Sequence, residues 1–308
     1  MVIVDAHCDT LTKAVDNKTD IFENNYHWDI KRALKYDGFV QFMSIFQNPD
    51  IIKPTFKRAL YYIEKAESFE KKYPQFKICK SYLDIKHNLT LNKVCALLTI
   101  EGGDILHGKT ENLQTLYDKG IRSITLTWNY ANELGDGAKE SKNGGLTPFG
   151  HEIVKSMQDL GMIVDVSHAD EKTFWDIIDI SIKPIIASHS NAGAVHENPR
   201  NLNNDQLKAI SDIGGVIGVN FYTEFIDKPG RVNSDSLIRH IEHICEVAGE
   251  DAVGLGADFD GMESLPEDVK GVESLDIILN KLARMNYSET VIRKITGGNF
   301  LRVISEIL

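Results

Sequence analysis

The sequence predicts a (β/α)8 barrel, and three observations predict it. Short apolar runs alternate with longer amphipathic segments along 308 residues. There are eight such runs. No Pro-, Gly- or Ser-rich linker or low-complexity tract divides them, so the reading is one catalytic domain over 1–308. Strands separated by helices pair in parallel, because the crossover needs a helix to return the chain. Eight such units in a chain of this length fit the TIM-type barrel.

The runs are VIVDAH (2–7), FVQFMSIF (39–46), VCALLTIEGG (94–103), SITLTWN (123–129), MIVDVSH (162–168), PIIASHS (184–190), GVIGVNFY (215–222) and AVGLGADFDG (252–261). The segments between them have helical spacing and helical punctuation. Residues 54–73 carry apolar and aromatic residues among charges. Residues 147–161 open with Thr-Pro and stop at Gly161. Residues 203–213 open at Asn203 or Asn204 and close at Gly214. Residues 234–249 have a Ser or Asp cap and a Gly stop. Two further helices are expected at about 274–285 and 288–307.

Composition narrows the function. Hydrophobic residues make up 42% and charged residues 26%, as in a soluble globular protein. The net charge of -11 argues against nucleic acid, since phosphate binding wants a basic face. The four cysteines, Cys8, Cys79, Cys95 and Cys245, form no Cys-x-x-Cys pair. That disfavours a structural zinc knuckle and suits a reducing compartment. No apolar run approaches the ~20 residues that span a bilayer, and no signal or anchor pattern is visible. The expectation is a cytoplasmic protein without a membrane partner.

In a (β/α)8 barrel the chemistry stands at the C-terminal ends of the strands. The first run ends in His7 and Asp9, and strand alternation places Asp5, His7 and Asp9 on one face and Cys8 on the other. The third run ends in Glu101, the fourth in Trp128 and Asn129, and the fifth in His168 after Asp165. His189 ends the sixth between Ser188 and Ser190, Asn220 the seventh, and Asp258 and Asp260 the eighth. A single strand histidine is more often a hydrogen-bonded core residue than a ligand. Three of them at strand ends, among carboxylates, form a set. His7, Asp9, Glu101, His168, His189 and Asp258 have the composition of a two-metal hydrolytic site. Glu101 can bridge two cations with its two oxygens, and two cations ~3.5–4 Å apart can share and acidify a water. One more carboxylate must move the proton to the leaving group, and Asp258 is the candidate. His240 and His243 read instead as a solvated helix face, and His151 as structural.

In order and spacing, the segments DAHCD, IEGGD, SITLTWN, IVDVSHAD, PIIASHSNAGAV with PRNL, GVIGVNFY and GLGADFDG resemble the membrane, or renal, dipeptidase family of binuclear zinc peptidases. The likeness covers nearly the whole chain and is nearest to soluble microbial members. It implies two zinc ions per subunit, other divalent metals being possible. His7 and Asp9 would hold the first, His168 and His189 the second, with Glu101 between them. It gives Asp258 the acid–base role and Arg200 the grip on the substrate carboxylate, for which a planar guanidinium is suited. It also implies a barrel, usually dimeric. Two departures stand out. Cys8 replaces an asparagine and reads as a packed thiol. Trp128 replaces a histidine that helps stabilise the oxyanion, and indole can donate one hydrogen bond but cannot carry a proton. Oxyanion help then falls to the metals, Asn129 or Tyr130, and Trp128 walls a side-chain pocket.

The resulting expectation is a zinc-dependent dipeptidase in which a metal-bridging water attacks the peptide carbonyl of L,L and possibly L,D dipeptides. One alternative is another binuclear barrel amidohydrolase, acting on a cyclic amide, lactone or phosphoester. Many of those use a modified lysine as the bridge, and no lysine closes a run here. The other is a catalytically weak homologue that only binds metal or peptide.

Overall fold

The computed structural model describes residues 1–308 except Pro229 and Arg231. The described residues form nine parallel strands: β1 (Val2–Cys8), β2 (Gly38–Phe46), β3 (Phe76–Ile78), β4 (Val94–Glu101), β5 (Ile121–Thr125), β6 (Ile163–Asp165), β7 (Ile186–Ala187), β8 (Val216–Val219) and β9 (Val253–Leu255). Eight of them close a barrel in the order β1, β2, β4, β5, β6, β7, β8, β9, with β9 returning to β1. All eight apolar runs of the sequence supply one strand each. The ninth, β3, was not expected. It pairs with the first half of β4, Phe76 opposite Val94, below the point where β5 joins at Leu98. It fills an edge that the staggered β5 leaves open.

One apolar cluster gathers Val4, Val40, Phe42, Leu97, Ile163, Ile186 and Val216. Side chains from six strands around a closed barrel can meet only inside it. The same cluster includes Phe300, Val303 and Ile304 of the helix Asn299–Ile307, so this helix seals the base of the barrel. Gly254 admits Phe300: a β-carbon there would stand 2.3 Å from the phenyl Cε2. The larger cluster, on the outer face, holds the strands' other side chains, such as Ile3, Phe39, Met43 and Leu98, against the surrounding helices.

Helix punctuation follows the sequence closely. Thr147 caps Pro148–Leu160 by accepting from Gly150 N–H, and Gly161 ends it in the left-handed region at φ 74°. Asn203 and Gln206 form a reciprocal capping box at the start of Asn204–Asp212. Two details differ. The helix Ser234–Ala248 is capped by Asn233, one residue before the expected Ser or Asp. The last helix is not continuous: Glu289–Arg293 and Asn299–Ile307 flank a π-helical turn at Lys294–Gly298. A β-carbon at Gly297 would meet the Val2 carbonyl oxygen at 2.9 Å, so the turn brings backbone against β1 where a side chain would not fit.

Strand β1 breaks simple alternation. Asp5 lies opposite Gln41 and Cys8 opposite Met43, so Ala6 and His7 together face the single Phe42. This is a β-bulge, which re-aims side chains at the rim of a barrel. Asp5 therefore does not share a face with His7 as alternation predicts. Its Oδ2 accepts from Gln41 Nε2 and its Oδ1 from Ala257 N–H. Burial pushes its carboxyl up to about 6. Cys8 packs as expected, its sulfur 3.7 Å from Met43 Sδ.

Candidate metal centre

At the C-terminal mouth of the barrel the strand ends converge. Nε2 of His7 lies 3.3 Å from Asp9 Oδ2, 3.4 Å from Glu101 Oε2 and 3.9 Å from Asp258 Oδ1. The other oxygen of Glu101, Oε1, stands 3.0 Å from His168 Nε2 and 3.6 Å from His189 Nε2. The two Nε2 atoms of His168 and His189 are 2.9 Å apart. All six residues are at least nine-tenths buried. Thus one carboxylate faces two groups, His7 with Asp9 and Asp258 on one side and His168 with His189 on the other.

The local backbone explains how. Asp9 leaves the strand and stands at the start of the helix Thr10–Asp16, which turns its carboxylate back toward His7. Gly102, at φ 90°, lets the chain turn sharply after Glu101. His168 and Asp258 both take left-handed conformations, φ 68° and 59°. Such backbone in non-glycine residues is costly and gathers at functional sites. Asp258 is fixed by its N–H on the His7 carbonyl and by Asn220 Nδ2 on its Oδ2. Gly261 follows because nothing larger fits beneath the carboxylates.

The electrostatics are those of a cation site. Burial opposes charge on His7, but Glu101 and Asp9 outweigh it and hold the proton well above the usual range. Burial lowers His168 to about 4, helped by Arg200, and His189 is also held well below its ordinary value by burial and by His7. Both are therefore neutral at pH 7. Burial would raise Glu101, but His7 and His168 pull it well below the carboxylate range. Burial lifts Asp258 to about 7, with Asp9 and Glu101 adding and His7 opposing. The donor set fits divalent metal ions on these grounds. His168 Nδ1 faces Asn129 Oδ1 at 3.1 Å and His189 Nδ1 faces Ser188 Oγ at 2.7 Å, which leaves their Nε2 atoms bare and facing each other. His7 Nε2 and Asp9 Oδ1 are buried without a hydrogen-bond partner. His7, Glu101 and His189, and His7, Asp9 and Asp258, each present ligand atoms within 4.8 Å of one another.

The other expected residues fall as follows. Arg200 is 3% exposed, with an Nη2 hydrogen bond to the His189 carbonyl, and its Nε has no partner. Its guanidinium lies 5.5 Å from the Phe225 ring centre. Trp128 stands between Phe46 and His168, with ring centres 5.3 and 6.2 Å away. Tyr130 is half exposed and lines a cavity with Trp128, Asp104 and Asn132. Asn129 is turned inward to His168. Asp260 does not join the set: its carboxylate is taken by Thr10 Oγ1 (2.5 Å), Lys13 Nζ (3.2 Å) and His27 N–H (3.0 Å).

His240 is a correction. It is not solvated but fully buried, accepting from Ala192 N–H at Nδ1 and facing the Ile226 carbonyl with Nε2. Of the two histidines on this amphipathic helix, neither residue type nor charge tells which side each takes. Sequence reasoning missed Gly261 and the supporting Ser188. The dipeptide Asp-Gly after Asp258 was the available signal for the first.

A parallel (β/α)8 barrel with histidines and carboxylates gathered at its C-terminal mouth defines a metal-dependent hydrolase architecture. Within that class the assignment is specific. The chain belongs to the membrane dipeptidase family, peptidase family M19, whose model matches residues 1–308. It is 39% identical over 244 residues to a Klebsiella pneumoniae protein known from the pqqA 5′ region, covering 76% of this chain and 89% of that one. It is 34% identical over 285 residues to an uncharacterized dipeptidase of Schizosaccharomyces pombe, covering 91% of this chain and 66% of that one. Among solved structures it resembles a metallo peptidase of Rhodobacter sphaeroides, liganded with a phosphinate mimic of the dipeptide L-Ala-D-Ala. That match has a TM-score of 0.91 at 24% identity and covers 100% of this chain and 99% of that chain. A family M19 dipeptidase gives 0.90 at 24% identity, covering 100% and 98%. Among the described residues, no helix is long and apolar enough to cross a membrane.

Proposed function

We propose that this protein is a zinc dipeptidase, cleaving the single peptide bond of L,L and L,D dipeptides. The observation that carries the reading is the divided aim of Glu101, with Oε2 3.4 Å from His7 Nε2 and Oε1 3.0 Å from His168 Nε2. One carboxylate serving two imidazole groups is what a two-cation centre requires. In this reading His7 and Asp9 would hold one zinc ion and His168 and His189 the other, with Glu101 a ligand available to both. The chemistry such a cation pair would supply is Lewis acidity toward the scissile carbonyl and a lowered pKa of the attacking water.

The chain's own residues do the rest. Arg200 offers an unpartnered, buried Nε–H beside the site, suited to a free substrate carboxylate. A grip on that terminus selects very short peptides. Asp258, aimed by Asn220, takes a proton from the attacking water and returns it to the leaving amine. Trp128 and Tyr130 wall the space for a substrate side chain. Asn129 holds His168, so oxyanion help from this segment falls to Tyr130 and the Trp128 N–H. The dipeptide mimic bound by the Rhodobacter sphaeroides relative supports L,D substrates for this chain. A cytoplasmic homodimer, with the barrel as one domain over 1–308, completes the proposal. The four free cysteines suit that compartment.

The test is hydrolysis of an L,L and L,D dipeptide panel by protein as purified, after chelation, and after zinc, manganese or cobalt is restored. Metal-restorable cleavage is expected. Protein that holds two cations yet cleaves no dipeptide would overturn the reading and favour a cyclic amide, lactone or phosphoester substrate.

A further inference from the structure

Behind the metal centre a group of buried polar side chains is wired to a single histidine. Asp165, at the end of β6, is 2% exposed. Its Oδ1 accepts from the N–H groups of Ser167 and Ser188, each at 2.9 Å. Its Oδ2 accepts from Thr125 Oγ1 at 2.6 Å and from Ser188 Oγ at 2.5 Å. Ser188 Oγ in turn lies 2.7 Å from His189 Nδ1.

The hydrogens in this chain can be assigned by counting. A carboxylate that receives four donors has no proton to give. The hydroxyl of Ser188 owns one hydrogen, and the 2.5 Å contact to Asp165 takes it. Its lone pair is then what faces His189, so Nδ1 must be the protonated ring nitrogen. His189 Nε2 is left bare, 3.6 Å from Glu101 Oε1. Ser167 adds a second restraint, its Oγ accepting from His189 N–H at 3.0 Å. The other imidazole of this half, His168, has only the neutral Asn129 amide behind it. The two ligands are thus held unequally.

We infer that Ser188, backed by Asp165, is a positioning residue that locks His189 in its Nδ1–H tautomer and thereby sets the affinity of the site shared with His168. The inference rests on the two-cation reading given above. A hydroxyl polarised by a carboxylate makes Nε2 a better donor and holds the ring's plane, at no cost of rearrangement when the cation enters. Groups behind a ligating histidine typically account for 10–100-fold in metal affinity.

The test is chelator-competition titration of zinc on wild type, Ser188→Ala and Ser188→Thr, with ¹⁵N spectra of the histidine rings in the metal-free proteins. In Ser188→Ala one of the two zinc ions should bind 10–100-fold more weakly and the other unchanged, and Ser188→Thr, which keeps the hydroxyl, should restore the weaker ion. The His189 ring of wild type should show the Nδ1–H tautomer, and Ser188→Ala a mixture. Equal binding of both ions in wild type and a folded Ser188→Ala would overturn the inference. An Nε2–H tautomer in wild type would do so even where the variant fails to fold. Because zinc binding and tautomer are read without substrate, inactivity toward dipeptides leaves this result intact, whereas a wild type that binds no zinc overturns both.

Discussion

The carboxylate of Asp9 closes over Gly261: a β-carbon at that glycine would stand 2.2 Å from Asp9 Oδ2, and 2.5 Å from Oδ1 of Asp258. Two residues from the far end of the sequence therefore set the width of this half of the site beside Asp9, Asp258 by its charge and Gly261 by its lack of a side chain. Gly261→Ala is expected to displace one or both carboxylates. One bound zinc should be lost or weakened and dipeptide turnover should fall by at least about 10²-fold, the scale of a small misplacement in an active site. The glycine lies at the surface of the mouth and not in the packed core, so the melting temperature should move little. Metal content by mass spectrometry, with a thermal melt, checks this.

Asp258→Asn keeps the shape of the side chain and removes its basicity. Turnover of dipeptides should drop by roughly 10²–10⁴-fold, while zinc stoichiometry stays at the wild-type value. Steady-state kinetics alongside metal analysis decides it; wild-type turnover in the variant would remove the proton-transfer role.

Arg200→Lys retains a charge and loses the planar fork. The expected change is a KM raised by about 10-fold or more for dipeptides with a free carboxylate. Dipeptide amides, which lack that group, should be hydrolysed equally by wild type and variant. The comparison of kcat/KM for each acid and its amide provides the measurement.

His240 carries a pH dependence of stability. Burial lowers its pKa from 6.5 to about 4 in the fold. Between those values the unfolded chain binds the proton and the folded one does not, so stability is fully present above about pH 6.5 and declines as pH falls toward 4. The contribution reaches about 3 kcal/mol as an order of magnitude. His240→Gln should be less stable than wild type at pH 7, and the difference should shrink steadily below pH 6. Urea denaturation at a series of pH values gives both curves.

Much of this was legible in the residues. Each barrel strand announced itself as an apolar run, and all but the second, which ends in Phe46, are closed by polar residues, because a strand buried on both faces has nowhere else to place its chemistry. The six converging residues of the centre stand at those closures for the same reason. What stayed hidden depended on geometry that periodicity does not carry. The bulge at Ala6–His7 reverses the face of Asp5 without any local mark. Asp258 and Asp260 look alike in DFDG, yet only the first reaches His7; the second is spent on Thr10, Lys13 and His27, and His27 lies in a loop with no pattern. Strand β3 has three residues, too few for a period. Ser188 was visible as the neighbour of His189, but its partner Asp165 arrives from another strand.

The seal at the base of the barrel has a bearing on how the protein is made. Phe300 occupies the interior beside Gly254, and its helix closes the mouth opposite the metal centre. During synthesis all eight barrel strands have left the ribosome before that plug exists. Until it docks, the nascent barrel presents an unfilled apolar lumen, the kind of surface that invites chaperones or aggregation. Its completion therefore waits on residues 299–307, and a chain stalled just upstream would hold every metal-site residue and still lack a finished core.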